Sequence, residues 1–522
     1  MDFLKKKSFI LKVAIFATGF AGIVAEYILS TLATYFIGNA VFQWTMIVSL
    51  MLFCMGLGSR ISKLIKKNLI QNFLLLEISL SIVVAFSSIT VYSVAAFSEF
   101  YGLLIYVISM LVGLLIGLEI PLVIRINNAY DDLKTNISSI LEKDYYGSLL
   151  GGVFFAFVGL PILGLSYTPF VLGFINFAVA FMVFLKFRNK LNQKGQGNRM
   201  FVLLLNVAVI LCLGIIYCQP IIEWGEQKKY KDKVVYTEQT KYQKIVLTEW
   251  KDEHWLYLNG NLQFCSIDEA MYHEPLVHPV MQLAQHPKEV LILGGGDGCA
   301  VRELLKYPSI NRIDLVDLDP SMTQLGKSNP ILVQINEGAM NSNKLHIYNE
   351  DAYLFLTEKE RRFYDVIIVD LPDPRSVELN RLYSHEFYSH CYRRLSSGGL
   401  LITQAGSPYF ATKAYKCIEK TMASANLKTV AMHNQVLSMG EWGWIIGAKT
   451  NRATSDAILK RLQSLDFEGI NTKWITKEAM LLLTSFGKDN FFMKDNEDAI
   501  RINRIHDPVL YEYYQKGNWD LY

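Results

Sequence analysis

The sequence predicts a multi-pass α-helical membrane domain followed by a Rossmann-like α/β domain, with a small antiparallel β subdomain between the two. Long apolar runs fill the chain before about residue 220, whereas short apolar runs alternate with helical patterns from residue 289 onward. A glycine turn, Gly294-Gly295-Gly296-Asp297-Gly298, directly follows one of the short runs, as in nucleoside-binding sheets. We therefore expect a membrane domain, a β subdomain, a Rossmann-like domain and a C-terminal extension at residues 1–220, 221–265, 266–450 and 451–522.

The first part is predicted to cross a membrane about seven times, in contact with lipid. The chain of 522 residues has a mean hydropathy of +0.22 and is 51% hydrophobic, values high for a wholly soluble protein. The first run is not a cleaved signal peptide, because it is too long, contains Glu26 and is followed by no Ala-x-Ala site. The predicted segments are 8–36, 41–59, 73–97, 101–124, 145–165, 167–187 and 201–219.

Charge and cysteine usage exclude several other classes of protein. A formal net charge of +3 is too small to indicate a nucleic-acid partner. The seven cysteines form no Cys-x-x-Cys pair, so we expect reduced thiols, no disulfide framework and no metal site.

The soluble half begins with strand signals. Residues 233–264 predict a small antiparallel sheet with a turn at Asn259-Gly260-Asn261, and a helix is predicted over about 268–285. Five strands then alternate with helices, which indicates a doubly wound parallel sheet. These strands are predicted at 289–293, 312–316, 345–348, 365–369 and 400–404.

Acidic residues stand at the carboxyl ends of four predicted strands, where ligands bind in sheets of this kind. They are Asp297 in the glycine turn, Asp317, Asp351, and Asp370 with Asp373. A carboxylate inside the turn would repel a pyrophosphate, so the turn indicates a nucleoside that carries positive charge, such as a sulfonium or an amine. A single Asp after a strand is usually a solvated loop residue, but four acidic ends in one sheet favour a binding site.

Several motifs follow one another in fixed order over roughly residues 235–450. They are Tyr242-Gln243, Leu258-Asn259-Gly260-Asn261-Leu262-Gln263, Asp268-Glu269-Ala270-Met271-Tyr272-His273-Glu274, the glycine turn, Arg302-Glu303-Leu304-Leu305, Asp370-Leu371-Pro372-Asp373-Pro374, Leu382-Tyr383-Ser384 and Gly440-Glu441-Trp442-Gly443. In this order the motifs resemble the spermidine synthase (polyamine aminopropyltransferase) family in its membrane-fused bacterial form. Such enzymes use a fold of the S-adenosylmethionine methyltransferase type to move an aminopropyl group from decarboxylated S-adenosylmethionine to putrescine, which gives spermidine and methylthioadenosine. The resemblance implies this activity without a metal or further cofactor, because a sulfonium is already an activated leaving group.

The resemblance also implies roles for single residues. Asp370 is the implied general base that takes a proton from the acceptor amine, assisted by Tyr272, and it joins Asp297 in holding the donor's ammonium. The implied donor-binding residues are Gln243 and Asp317 at the ribose, Asp351 at the adenine amine, and Gly294, Gly296, Asp297 and Gly298 in the turn. The implied acceptor-binding residues are Gln263, Tyr272, His273 and Asp373.

The chain departs from the family pattern at three places. Asn259 stands where the family usually has Asp, Asp317 where it usually has Glu, and Leu437-Ser438-Met439-Gly440 where many relatives carry a Tyr before the Gly. The first and third departures affect the expected amine slot. The choice between putrescine and a longer or different amine therefore stays open.

Two other functions also stay open. A methyltransferase that uses ordinary S-adenosylmethionine could be built on the same fold, but it would need neither a carboxylate at the donor's amino-acid end nor the Asp370 and Asp373 pair. A sensor or transporter could bind polyamines in the soluble domain without turnover, and its activity would not depend on Asp370. The family is often dimeric or tetrameric, and a homo-oligomer is left open for this chain.

Two features of the membrane domain bear on function and location. Glu26, Glu77 and Glu119 lie within apolar runs, where an ionisable group is costly and has either a structural hydrogen-bond role or a place in a polar cavity, conceivably for a cationic substrate or product. The positive-inside rule places the basic loops in the cytoplasm, so seven crossings would put the soluble domain outside. Its expected substrates are cytosolic, so we expect an inner-membrane protein with a cytoplasmic catalytic domain, and this conflict stays open. The basic loops lie at 5–7, 63–67 and 186–199.

Overall fold

The chain divides into two compact units, Met1–Val234 and Val235–Tyr522. The boundary lies beyond the predicted position at 220, because the last helix of the first unit continues past the apolar run to Lys229. The computed structural model describes residues 2–38, 40–98, 100–192, 195–284, 286–358, 362–487 and 499–519.

Eight α-helices build the described part of the first unit. They are α1 (Asp2–Ile37), α2 (Ala40–Ile61), α3 (Leu69–Ala85), α4 (Ser87–Ala95), α5 (Tyr101–Asn127), α6 (Leu133–Phe154), α7 (Gly164–Asn192) and α8 (Gly197–Lys229). Glycines let these helices approach each other closely, since a Cβ on Gly117 of α5 would lie 2.1 Å from the carbonyl oxygen of Met55 in α2. Large apolar side chains lie both inside the bundle and on its outer surface.

Within the residues that the structure describes, five helical segments of this unit are long and apolar enough to cross a membrane, or six if the bent pair α3 and α4 is one span. One of the five, Leu133–Asn192, has 60 residues, far more than the roughly 20 that one crossing needs. In its middle, Phe155–Leu163 is π-helical and Gly164 has a φ of +64°.

The 60-residue segment turns back on itself at this break. Tyr130, just before its start, and Phe187, near its end, both lie beneath the Lys7 ammonium at the N-terminal end of α1. Phe155, at the break, packs against Tyr27 further along α1. The segment therefore runs along α1 and returns, so that α6 and α7 form a helical hairpin.

The second unit contains the predicted small antiparallel sheet. Its strands pair in the order β1-β2-β3-β4, and a tight turn with left-handed residues at Asn259 and Gly260 joins the last two. The strands are β1 (Lys233–Gln239), β2 (Lys244–Trp250), β3 (Glu253–Leu258) and β4 (Asn261–Cys265).

A seven-stranded sheet forms the centre of the second unit, with strand order β10-β11-β9-β8-β5-β6-β7. The strands are β5 (Glu289–Gly294), β6 (Arg312–Val316), β7 (Leu345–Tyr348), β8 (Tyr364–Asp370), β9 (Leu395–Gly406), β10 (Lys428–Val436) and β11 (Gly440–Ala448). Strands β5 to β9 are parallel to one another, as predicted, and β10 and β11 add an antiparallel hairpin beside β9 that the predicted five strands did not include. The chain order reverses between β5 and β8, which makes this the switch point where ligands bind.

Helices cover both faces of the large sheet. They are α9 (Ala270–Ala284), α10 (Cys299–Leu305), α11 (Pro320–Ser328), α12 (Pro330–Ile335), α13 (Ala352–Thr357), α14 (Val377–Asn380), α15 (His385–Arg394), α16 (Thr412–Ser424), α17 (Ser455–Gln463), α18 (Lys477–Leu483) and α19 (Val509–Gln515). The C-terminal extension contributes to both hydrophobic layers. Leu462 and Met480 pack on one face of the sheet, whereas Leu510 and Tyr514 pack on the other.

Candidate active site

The glycine turn lies directly beside the end of β8. In the parallel pairing of β5 with β8, Gly294 is opposite Asp370. Gly294 and Gly298 have φ values of +90° and +86°, a region that favours glycine. A Cβ on Gly294 would lie 1.9 Å from the Asp370 carbonyl oxygen, so only glycine allows this close approach.

Two of the predicted carboxylates meet at this point. One side-chain atom each of Asp297, Asp370 and His273 lies within 4.8 Å of the other two. Asp297 also accepts a hydrogen bond from the backbone N–H of Cys299 at the start of α10, at 2.8 Å, which fixes its orientation. The site therefore concentrates negative charge beside the glycine turn.

Asp370 has a surrounding suited to a base. The Tyr272 hydroxyl donates a hydrogen bond to its Oδ1 atom at 2.8 Å. Burial raises the pKa of Asp370 to about 6, an effect that the nearby His273 charge opposes and the Asp297 charge reinforces. Asp370 is thus ionised at neutral pH and close to the range in which it can take up a proton.

His273 supplies a positive charge behind the two carboxylates. Its Nδ1 atom lies 3.0 Å from Glu269 Oε2, and the side chain is only 2% exposed. Burial alone would lower the pKa of His273, but the Glu269 carboxylate raises it to about 9. At neutral pH His273 is therefore an imidazolium, which balances part of the charge of the site.

The carboxylate at the end of β6 lies against the glycine turn. Asp317 Oδ2 accepts a hydrogen bond from the Gly296 N–H at 3.1 Å, and Oδ1 accepts one from the Asp319 N–H at 2.9 Å. Burial raises the pKa of Asp317 to about 6, and these two N–H groups act in the opposite direction. Gln243 reaches the same region, since its Nε2 atom donates to Asp319 Oδ2 at 3.0 Å. Asp319 was not among the predicted site residues, and its N–H group and its carboxylate connect Asp317 to Gln243.

Two other predicted residues have local partners in the structure. Asp351 caps α13 by accepting hydrogen bonds from two backbone N–H groups, and it pairs with Arg381. The Gln263 amide donates to the carbonyl oxygens of Asn261 and Leu262. Their predicted roles at adenine and at the acceptor stay predictions.

Asp373 has partners that sequence reasoning missed. The Tyr514 hydroxyl donates to its Oδ2 atom at 2.6 Å, Arg375 Nη2 lies 3.1 Å from the same oxygen, and Gln404 Nε2 lies 3.3 Å from Oδ1. Gln404 also donates to the Tyr383 hydroxyl at 2.5 Å. Tyr383 belongs to a motif that we noted, whereas no local pattern marked Tyr514, which is 141 residues from Asp373.

An ionic network lies behind the site. Arg302 bonds to Glu269 at 2.7 Å and to Glu303 at 2.8 Å, and Glu303 also contacts His278 at 2.8 Å. Burial favours the neutral carboxyl, but His273 and Arg302 lower the pKa of Glu269 to about 2. Glu269 and Glu303 each belong to a side-chain group compact enough for a metal ion. Their oxygens already contact cationic partners, which supports a structural network.

The chain is similar to curated and solved proteins of known type. Residues 269–457 match the spermine/spermidine synthase domain. Polyamine aminopropyltransferase 2 of Aquifex aeolicus is 40% identical over 511 residues, covering 97% of this chain and 98% of the relative. The polyamine aminopropyltransferases of Oceanobacillus iheyensis and Leptospira interrogans are 37% and 34% identical over 511 and 510 residues, covering 96% and 97% of this chain and 96% and 98% of the relatives.

Among solved structures, a spermidine synthase in complex with the transition-state analogue AdoDATO is 25% identical, with a TM-score of 0.44, and the match covers 49% of this chain and 86% of that one. The curated relatives match both units, the N-terminal helices included. By these full-length matches, the chain belongs to the polyamine aminopropyltransferase (spermidine synthase) family.

Proposed function

We propose that this chain transfers an aminopropyl group from decarboxylated S-adenosylmethionine to putrescine, with Asp370 as the general base. The amine nitrogen attacks the aminopropyl carbon next to sulfur, and the carbon–sulfur bond breaks with its electron pair going to sulfur. The proton lost by the nitrogen goes to Asp370. The products are spermidine and methylthioadenosine.

The observation that carries this proposal is the meeting of Asp297 and Asp370 at the glycine turn. The donor has a sulfonium and an ammonium group, and both favour a site lined by carboxylates. Ordinary S-adenosylmethionine carries an additional carboxylate, which Asp297 would repel. The same site therefore favours the decarboxylated donor over the methyl donor.

The surroundings of Asp370 support its role as base. A primary amine has a pKa near that of lysine, about 10.4, so the acceptor is mostly protonated and unreactive at neutral pH. A carboxylate within reach of this nitrogen can accept the ammonium proton before the attack, which frees the lone pair that forms the carbon–nitrogen bond. The Tyr272 hydroxyl donates to Asp370 at 2.8 Å and orients the carboxylate toward this task.

The other residues implied by the family would bind the ends of the two substrates. Asp317, with Gln243, would accept hydrogen bonds from the ribose hydroxyls. The backbone at Gly294, Gly296 and Gly298 would allow the nucleoside to come close, because glycine has no side chain. Asp351 would accept a hydrogen bond from the adenine amine. Gln263, Tyr272, His273 and Asp373 are the proposed acceptor-side residues.

We propose further that the first unit is a multi-pass domain of the cell membrane, with its outer side chains in lipid. Its apolar helices have the length and composition of membrane spans. Cytosolic substrates favour a cytoplasmic second unit, whereas the basic loops at one end of the bundle favour the opposite side. A C-terminal alkaline phosphatase fusion, active only outside the cytoplasm, and a matched green fluorescent protein fusion decide between the two.

The activity is tested with purified full-length protein in detergent. With decarboxylated S-adenosylmethionine and putrescine, we expect methylthioadenosine and spermidine in equal amounts. S-adenosylhomocysteine formed from ordinary S-adenosylmethionine would instead identify a methyltransferase. Binding of the amine without any product would identify a sensor or transporter.

A further inference from the structure

The C-terminal segment of the second unit reaches the acceptor side of the proposed site. The Asn503 amide donates hydrogen bonds to the carbonyl oxygens of Asn380 and Tyr383, both at 3.0 Å. The Tyr511 N–H donates to Asn380 Oδ1 at 3.1 Å. These bonds attach the segment to the chain that follows Asp373.

This attachment brings Tyr514 to the Asp373 carboxylate. The Tyr514 side chain is buried, and its hydroxyl donates to Asp373 Oδ2 at 2.6 Å. On the other side of the carboxylate, Gln404 donates to Oδ1 at 3.3 Å. Asp373 is therefore held in one orientation by hydrogen bonds from two distant elements.

Arg375 brings a positive charge to the same carboxylate. Its Nη2 atom lies 3.1 Å from Asp373 Oδ2, and its Nη1 atom donates to Asn261 Oδ1 at the start of β4. The guanidinium also lies 5.7 Å from the centre of the Tyr514 ring. The Arg375 side chain is 44% exposed, whereas that of Asp373 is 9% exposed, so the arginine can leave while the carboxylate stays.

We propose that Tyr514 is a positioning residue for Asp373, and that Arg375 occupies the place of the acceptor's ammonium group until an acceptor displaces it. This inference rests on the proposed function, because it takes Asp373 as a partner of the acceptor amine. A buried carboxylate without a cation is costly, so Arg375 stabilises Asp373 in the free protein. When the acceptor binds, its ammonium group replaces the guanidinium at Asp373. The C-terminal extension then takes part in acceptor selection.

Removal of Arg375 distinguishes this role from a merely structural one. The Arg375→Gln variant no longer places a competing cation on Asp373, so we expect the acceptor KM to fall by about three- to fivefold, as for the loss of a partly exposed ion pair. Arg375→Lys keeps the charge and should retain a KM near the wild-type value. Arg501→Gln, which removes an exposed arginine of the same C-terminal segment, is the matched control.

Removal of the Tyr514 hydroxyl is expected to change the acceptor KM in the opposite direction. Tyr514→Phe removes the hydrogen bond that orients Asp373, so we expect the acceptor KM to rise by about tenfold, with kcat and the donor KM within about twofold of wild type. Tyr513→Phe, one residue away, should change none of these values. A fall in kcat with an unchanged acceptor KM would overturn the role of Tyr514.

The inference and the proposed function fail in different ways. Wild-type protein that makes no methylthioadenosine contradicts the function. An active wild type whose Arg375→Gln variant has an equal or higher acceptor KM contradicts the exchange of cations. Because Arg375 is half exposed, this variant tests the inference even if Tyr514→Phe fails to fold.

Discussion

Both units bury carboxyl groups, but they stabilise them in different ways. In the second unit, Glu269 and Glu303 share the guanidinium of Arg302. In the first unit, Glu77 and Glu119 are both 0% exposed and lie beside the Thr18 hydroxyl, without a cationic partner among the described residues. Two buried carboxylates so close together would repel each other, which favours a proton on one of them.

The same distinction separates two kinds of acid within the second unit. Paired Glu269 has a pKa lowered to about 2 and forms part of the framework. Asp317 and Asp370 have no Arg or Lys ion pair among the described residues, and burial raises the pKa of each to about 6. A buried acid held without a bonded cation is therefore available for a cationic ligand or for a proton.

The largest expected effect comes from the acid proposed as base. Asp370→Asn keeps the shape of the side chain but cannot take up a proton, so we expect kcat to fall by about 10³-fold. The measurement is methylthioadenosine formation, with donor binding followed separately by calorimetry. Asp365→Asn, at the opposite end of the same strand, should leave turnover unchanged, and undiminished turnover in Asp370→Asn would contradict the assignment.

The next largest effect is expected when the paired acids of the second unit lose the cation that they share. Arg302→Met leaves Glu269 and Glu303 buried without this cation, so we expect the free energy of unfolding to fall by about 3–5 kcal/mol. Chemical denaturation of the detergent-solubilised protein measures the change. Arg362→Met removes an exposed pair with Glu289 and should cost less than about 1 kcal/mol. Equal losses in the two variants would refute the framework role.

A smaller change in the free energy of unfolding is expected for the two acids of the first unit, Glu77 and Glu119, which lie beside one hydroxyl. In Glu119→Gln, the amide oxygen can still accept from the Thr18 hydroxyl and the like charge beside Glu77 is removed, so we expect a change in unfolding free energy of about 1 kcal/mol or less. Glu119→Ala, which removes the partner, should cost more. A large loss of unfolding free energy in Glu119→Gln but not in Glu119→Ala would show that the carboxylate charge itself stabilises the pair. That result would contradict the difference proposed between the two units.

The last expected effect is a difference in how stability depends on pH. The folded pKa of Asp317 is raised, so its contribution to stability is complete below about pH 4 and is lost as the pH rises through about 6. The folded pKa of Glu269 is lowered, so its contribution is present above about 4.5 and is lost as the pH falls toward about 2. Asp317→Asn should therefore raise the stability at pH 7 relative to pH 4 by about 1–2 kcal/mol. Unfolding at the two pH values measures this shift, and an unchanged pH dependence would contradict it.

Part of the site could be predicted from the sequence because parallel strands end at one edge of a sheet. That rule alone predicts that Asp317 and Asp370 lie at the glycine turn. The contacts of Tyr514 and Gln404 with Asp373 could not be predicted, since they depend on how distant elements pack. The same holds for Glu77 and Glu119, whose positions in separate apolar runs do not indicate that they meet.

The central claim is that the unpaired carboxylates at the glycine turn select a cationic donor. Its most direct test is calorimetric binding of decarboxylated and ordinary S-adenosylmethionine to the full-length wild type and to Asp297→Asn. We predict that the wild type binds the decarboxylated donor at least about tenfold more tightly, and that Asp297→Asn loses most of this preference. Equal affinity of the wild type for both donors would contradict the account.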